Sequence, residues 1–222
     1  MIKVFRTMLL LLLLSFPVVL TAQKGNTTSP PKDYIFFLHN RFLEENDPEA
    51  KHPEYGRAEY KEIIAEFEKD GFIVISEKRS SKTNISLYAA KVIKQLDSLI
   101  KLGVKPDHIT VIGTSKGGYI AQLVSSALKN PDVNFVFIGA FQKSDLKEMP
   151  EINYCGNILT IYESSDSNGV SAIERKQTSK LKIKHFKEVE LNTGLKHGFL
   201  YKPLKEWMEP CKKWARRNYA LN

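Results

Sequence analysis

From Asp33 onward, short apolar runs alternate with longer amphipathic stretches, and this alternation limits the folds open to the chain. The runs Tyr34–Leu38, Phe72–Ser76, Ile109–Ile112, Asn134–Ile138, Ile158–Tyr162 and Glu188–Leu191 predict strands. The stretches Ala58–Lys69, Ser86–Leu102, Gly117–Lys129, Val170–Leu181 and Leu204–Arg217 predict helices. In the second of these, Leu87, Ala90, Ile93, Leu96, Leu99 and Ile100 recur mostly at three- and four-residue steps, with Lys91, Lys94 and Asp97 on other faces. Tyr34–Leu38 and Ile109–Ile112 are nearly continuous apolar runs, as strands covered on both faces must be, and such strands belong to parallel sheets. The expected architecture is a three-layer α/β sandwich around a mostly parallel sheet of about six strands. In such sheets ligands bind beyond the carboxyl ends of the strands, so the residues just after each run matter most.

The N-terminus reads differently. Lys3 and Arg6 precede the apolar run Met8–Leu14, which continues to Leu20, and Ala22 is a small residue suited to cleavage. This is the layout of a signal peptide over residues 1–22, predicting export to a periplasm or the exterior. The run is short for a span and broken by Pro17, so membrane association is expected only if the segment stays uncleaved. Residues 23–32 form a polar leader with Pro30-Pro31, leaving 33–222 as one domain. The 42% apolar content excludes disorder over the whole length. The +8 charge is carried by lysines scattered along predicted helices, without a basic stripe interleaved with aromatics, so nucleic-acid binding is not expected. Export would also make Cys155 and Cys211 a possible disulfide. It would close a loop of 56 residues, worth about 4 kcal/mol; two buried free thiols are the alternative.

The strand Ile109–Ile112 runs into Gly113-Thr114-Ser115-Lys116-Gly117-Gly118, and a helix follows. In this G-x-S-x-G arrangement a tight turn lifts the serine hydroxyl clear of the backbone, and the glycines admit the neighbouring chain. The Lys116 N–H then faces a developing oxyanion. The second donor is expected from Asn40 or Arg41, in the loop His39-Asn40-Arg41-Phe42 after the first strand. A phosphate loop fits worse, because the lysine follows the serine and the spacing is wrong.

A nucleophilic serine needs a base and an acid that orients it. His197, in Gly194-Leu195-Lys196-His197-Gly198-Phe199, follows the last strand. Asp166 follows the fifth strand, with Glu163 nearer the strand end as the second candidate. Among the other histidines, His108 and His185 precede strands, His52 lies in a polar loop, and His39 ends the first strand. The chain order Ser115, Asp166, His197 is that expected on this kind of sheet.

These residues resemble the α/β-hydrolase superfamily over nearly all of the chain from Tyr34. The stretch Gly194–Phe199 looks like the His-Gly-Phe environment of the dienelactone-hydrolase and prolyl-oligopeptidase-like branches. The resemblance implies a serine carboxylic-ester hydrolase that uses Ser115, His197 and Asp166, with no metal or organic cofactor and a small-molecule acyl substrate. A non-catalytic binding protein on the same fold is the alternative. Two features depart from the family: Asn40 stands where glycine is common, and Lys116 replaces a neutral residue. Only 19 residues separate the fourth and fifth predicted strands, too few for a cap domain, so an open site is expected. Lys116, Arg41 and Arg79 near strand ends suggest an anionic substrate; alternatively Arg79 pairs with Glu77 and the others face water.

Overall fold

The computed structural model describes residues 32–222. The expected signal segment and all of the leader except Lys32 lie outside them. In chain order the elements are β1 (Tyr34–Leu38), α1 (Arg41–Glu45), β2 (Lys51–His52), β3 (Gly56–Arg57), α2 (Tyr60–Lys69), β4 (Ile73–Ile75) and α3 (Ile85–Lys101). Then follow β5 (Ile109–Thr114), α4 (Lys116–Leu128), β6 (Asn134–Ile138), α5 (Asp145–Glu148), β7 (Gly156–Glu163), α6 (Ile173–Thr178), β8 (Ile183–Leu191) and α7 (Lys205–Ala215). A short 3-10 segment, Lys196–Tyr201, precedes α7.

Six strands form one sheet in the order β4-β1-β5-β6-β7-β8, and every pairing in it is parallel. Alternate residues of each strand serve opposite faces, as the pleat requires. Ile35, Phe37, Ile112, Val136 and Leu159 pack with Phe67 of α2 and with Trp207 and Trp214 of α7. Phe36, Leu38, Val111, Phe135 and Ile158 pack with Val92 and Leu96 of α3 and with Ile120 and Val124 of α4. Each such side chain contributes about 1.5–3 kcal/mol on burial. Covering both faces is what makes the strand runs continuously apolar.

The chain moves outward from β1 to β4, then returns to β5 on the other side of β1. This reversal opens a crevice beyond the carboxyl ends of β1 and β5. Residues 39–41 and Ser115 stand there.

Several local features differ from expectation. The helix expected over Val170–Leu181 shrinks to α6, because the Glu188 carboxylate takes hydrogen bonds from Ser171 Oγ at 2.6 Å and the Ala172 N–H at 2.8 Å. The last strand starts five residues early, at Ile183, with most of its exposed or half-buried positions polar as befits an edge. Helix α1 and the antiparallel pair β2–β3 occupy a stretch expected to be loop. Between β6 and β7 the chain holds only α5.

The possible disulfide is corrected. Cys155 and Cys211 are both free and buried. Ser125 of α4 hydrogen-bonds the Cys155 backbone on one side of the sheet, while Cys211 lies in the core under α7 on the other.

Candidate active site

Ser115 sits between β5 and α4 with φ 49° and ψ −121°. A non-glycine residue held at positive φ is strained, and surrounding contacts must impose the conformation. The Ser115 N–H donates to Ile138 O at 2.9 Å, and its carbonyl accepts from Gly118 N at 2.7 Å. A Cβ on Gly117 would stand 1.9 Å from Leu38 O, and one on Gly113 would stand 2.2 Å from Gly117 O. The motif glycines are therefore steric necessities that let the helix start press against the end of β1.

The structure brings three of the candidate residues into one hydrogen-bonded series. Ser115 Oγ lies 3.0 Å from His197 Nε2, and His197 Nδ1 lies 2.6 Å from Asp166 Oδ2. Asp166 is buried, and its other oxygen accepts from Asn168 N at 2.8 Å. An acceptor on the Nδ1 side makes that nitrogen the protonated one, leaving Nε2 free to accept from the serine hydroxyl.

Glu163 does not reach the histidine. Its buried carboxylate takes hydrogen bonds from Thr193 N and Oγ1 at 2.9 and 2.7 Å, and from Ser165 Oγ at 3.0 Å. Burial opposes its charge, but these donors outweigh it and hold the carboxyl below the usual range. The other histidines are engaged elsewhere. His108 contacts Asp33 at 2.7 Å, and His185, within β8 rather than before it, stacks on Tyr219. His39 is buried, and burial with the Arg79 charge holds it down at about 4.

Lys116 opens α4 and Arg41 opens α1, so neither N–H has an acceptor within its own helix. Both residues, with Asn40, line the cleft around Ser115. The Asn40 side chain caps α1, accepting from Leu43 N at 3.2 Å.

The three cations behave differently from expectation. Arg79 is fully buried and pairs not with Glu77 but with Glu44, at 3.1 Å. Glu77 instead takes Lys91 and the Tyr88 hydroxyl. Lys116 Nζ also bonds Glu44. Only Arg41 stays at the rim, 66% exposed, with Glu45 at 4.0 Å. Lys116 and Arg79 thus share one internal carboxylate, which offsets one of their two charges.

The cleft has a volume of about 850 Å³ and includes Ser115 and His197 in its lining. Phe42, His52, Tyr55 and Tyr201 form an aromatic cluster along it, with His52 and Tyr55 stacked at 4.4 Å. Tyr119 and Asp145 supply polar lining, joined by a 2.8 Å hydrogen bond. Burial and Asp145 push the Tyr119 hydroxyl pKa up. Sequence reasoning missed most of these. Tyr119 alone carried a signal, one helical turn beyond Ser115; the aromatics come together only because β2–β3 folds against the turn bearing His197.

No family model and no curated protein matches the chain. Solved structures do. The esterase of Pyrobaculum calidifontis superposes with a TM-score of 0.60 at 16% identity, covering 86% of this chain and 77% of that one. Esterase B of Lactobacillus rhamnosis gives 0.58 at 14% identity, covering 86% and 77%. SOBER1 of Arabidopsis thaliana gives 0.55 at 14% identity, covering 84% and 98%. The chain has the α/β-hydrolase fold. Among the described residues no helix is long and apolar enough to cross a membrane.

Proposed function

We propose that this chain is a serine hydrolase that cleaves ester-type bonds of small or exposed acyl substrates. The observation that carries the reading is the series Ser115 Oγ, His197 and Asp166, at 3.0 and 2.6 Å, on a strained turn. The esterases among the solved structures of the same fold support the same class. The resemblance of the Gly194–Phe199 stretch to the His-Gly-Phe environment of the dienelactone-hydrolase and prolyl-oligopeptidase-like branches supports a reading near those branches.

In this reading Ser115 Oγ attacks the carbonyl carbon while His197 Nε2 takes its proton. Asp166 holds the imidazole in the required tautomer and stabilises the imidazolium that forms. The N–H of Lys116 and one from Asn40 or Arg41 receive the oxyanion. His197 then protonates the leaving alcohol, and water, activated by the same imidazole, hydrolyses the acyl-enzyme. No step calls on a metal or organic cofactor. Lys116 and Arg79 both end on Glu44, which removes one of their two positive charges from the cleft.

The test is labelling with a fluorophosphonate beside Ser115→Ala, followed by a screen of short neutral and anionic esters. Labelling of the wild type alone is the expected result. A folded wild type that neither labels nor hydrolyses any ester points instead to a binding protein on the same fold.

We also infer export through residues 1–22. Mass spectrometry of protein recovered from its native host should find a mature N-terminus at Gln23; retention of Met1 overturns this.

A further inference from the structure

The charged side chains of two residues singled out in the sequence, Lys116 and Arg79, find no use in the chemistry above. Both end on one carboxylate. Glu44, on α1, has no exposed side-chain surface. Its Oε2 accepts from Arg79 Nε at 3.1 Å, and its Oε1 accepts from Lys116 Nζ and, at 2.9 Å, from Thr83 N. We propose that Glu44 is a positioning residue that aligns both oxyanion donors, through Lys116 on one side and Arg79 on the other. The proposal rests on the serine-hydrolase reading.

The geometry works through two peptide planes. Arg79 Nη2 donates to His39 O and, at 3.4 Å, to Asn40 O. His39 Nδ1 lies 2.7 Å from Asn40 O, and His39 Nε2 accepts from the Arg79 N–H at 2.9 Å. The acceptor role of Nε2 puts the ring proton on Nδ1, so His39 is a neutral donor to Asn40 O. In a trans peptide the C=O and the following N–H point in opposite directions. Holding the carbonyls of His39 and Asn40 from one side therefore turns the N–H groups of Asn40 and Arg41 to the other. Lys116 completes the arrangement, because its N–H is the other oxyanion donor and its side chain reaches back to the same carboxylate.

Stability alone does not account for this cluster. Burying an ion triad is costly, and a well-packed apolar set serves folding as well. The guanidinium is not even fully satisfied, since Arg79 Nη1 has no partner among the described residues. What the triad adds is direction. Oxyanion donors act only within a narrow range of distance, so a small misplacement lowers the rate of the chemical step more than ground-state binding.

The experiment compares an oxoester with its thionoester, whose sulfur is a poor acceptor and gains little from the oxyanion donors. Lys116→Met retains the backbone N–H, and it leaves the Glu44–Arg79 pair in place. The expected result is a fall in kcat on the oxoester of about tenfold with KM within about twofold. The ratio of oxoester to thionoester rates should fall by a similar factor, and Lys116→Arg should recover most of both. Thermal unfolding checks that the variants are folded. Glu44→Gln, which frees the ammonium, should lower the same ratio. A rise in that variant would assign the Lys116 charge directly to the oxyanion and overturn the role of Glu44. An equal loss on both esters, or a loss carried by KM, overturns the positioning role while leaving the hydrolase reading intact. A wild type inert to both esters and to fluorophosphonate overturns the hydrolase reading, and the positioning role with it.

Discussion

Glu163 and Thr193 are joined twice, since the threonine amide and hydroxyl both donate to Glu163 Oε2, at 2.9 and 2.7 Å. The same carboxylate holds Ser165 Oγ at 3.0 Å, and that oxygen accepts from Lys196 N at 3.1 Å. The loop bearing Asp166 is thereby stitched to the loop bearing His197. Glu163→Gln replaces one acceptor oxygen with a donor facing donors, which should cost about 1–3 kcal/mol of stability. Steady-state hydrolysis by this variant should fall about tenfold in kcat/KM, whereas Asp166→Asn should lose about 10³–10⁴-fold in kcat. A larger loss at Glu163 than at Asp166 would reverse the two assignments.

His39 imposes a pH dependence on stability. Its ordinary pKa of 6.5 drops to about 4 in the fold, chiefly through burial and then the Arg79 charge, with Lys78 adding to this and Glu44 opposing it. The unfolded chain therefore binds the proton more readily. This contribution is fully present above about pH 6.5 and is lost as pH falls toward 4. Between pH 7 and 5 the wild type should lose about 2 kcal/mol from this group, measured by urea unfolding. The His39→Gln variant should lack that component. Parallel pH curves for the two proteins would count against it.

Gly117→Ala tests the close approach behind the serine turn. The added carbon would lie 1.9 Å from Leu38 O and 2.6 Å from His39 O, both backbone atoms. Backbone cannot swing aside as a side chain does, so β1 or α4 must move. Destabilisation of about 3 kcal/mol or more is expected, together with loss of fluorophosphonate labelling in whatever folds. A variant with wild-type unfolding midpoint and activity would show that the contact is looser than described.

The thiols give an independent check on the correction of the disulfide. Titration of denatured protein prepared without reductant should find two free cysteines. The native protein should react slowly, because burial raises the pKa of both Cys155 and Cys211 and the thiolate is the reactive form. An absence of free thiols in the denatured sample would show the two cysteines to be bridged, against the free state described.

Much of this architecture was legible from pattern alone. All six sheet strands overlap expected runs, and in the four inner ones, such as Tyr34–Leu38 and Asn134–Ile138, burial on both faces leaves an uninterrupted apolar signature. The turn at Ser115 was equally legible, since a serine framed by glycines between strand and helix has few other uses. The choice between Asp166 and Glu163 was not. Both are acids near the end of β7, and only the path of the loop decides which one meets His197 and which one binds Thr193.

Local information therefore determined the strands of the main sheet, their parallel arrangement, the long helices and the residues placed at the strand ends. Tertiary structure decided the partners. Glu44 joins Arg79, 35 positions away, and Lys116, 72 positions away. Tyr55 packs against Gly198 across the same cleft. Periodicity reports which face of an element is buried, because that depends on neighbours three or four residues away. It carries no record of which distant charge shares that burial, because such a contact exists only after the sheet has brought separate loops to one edge.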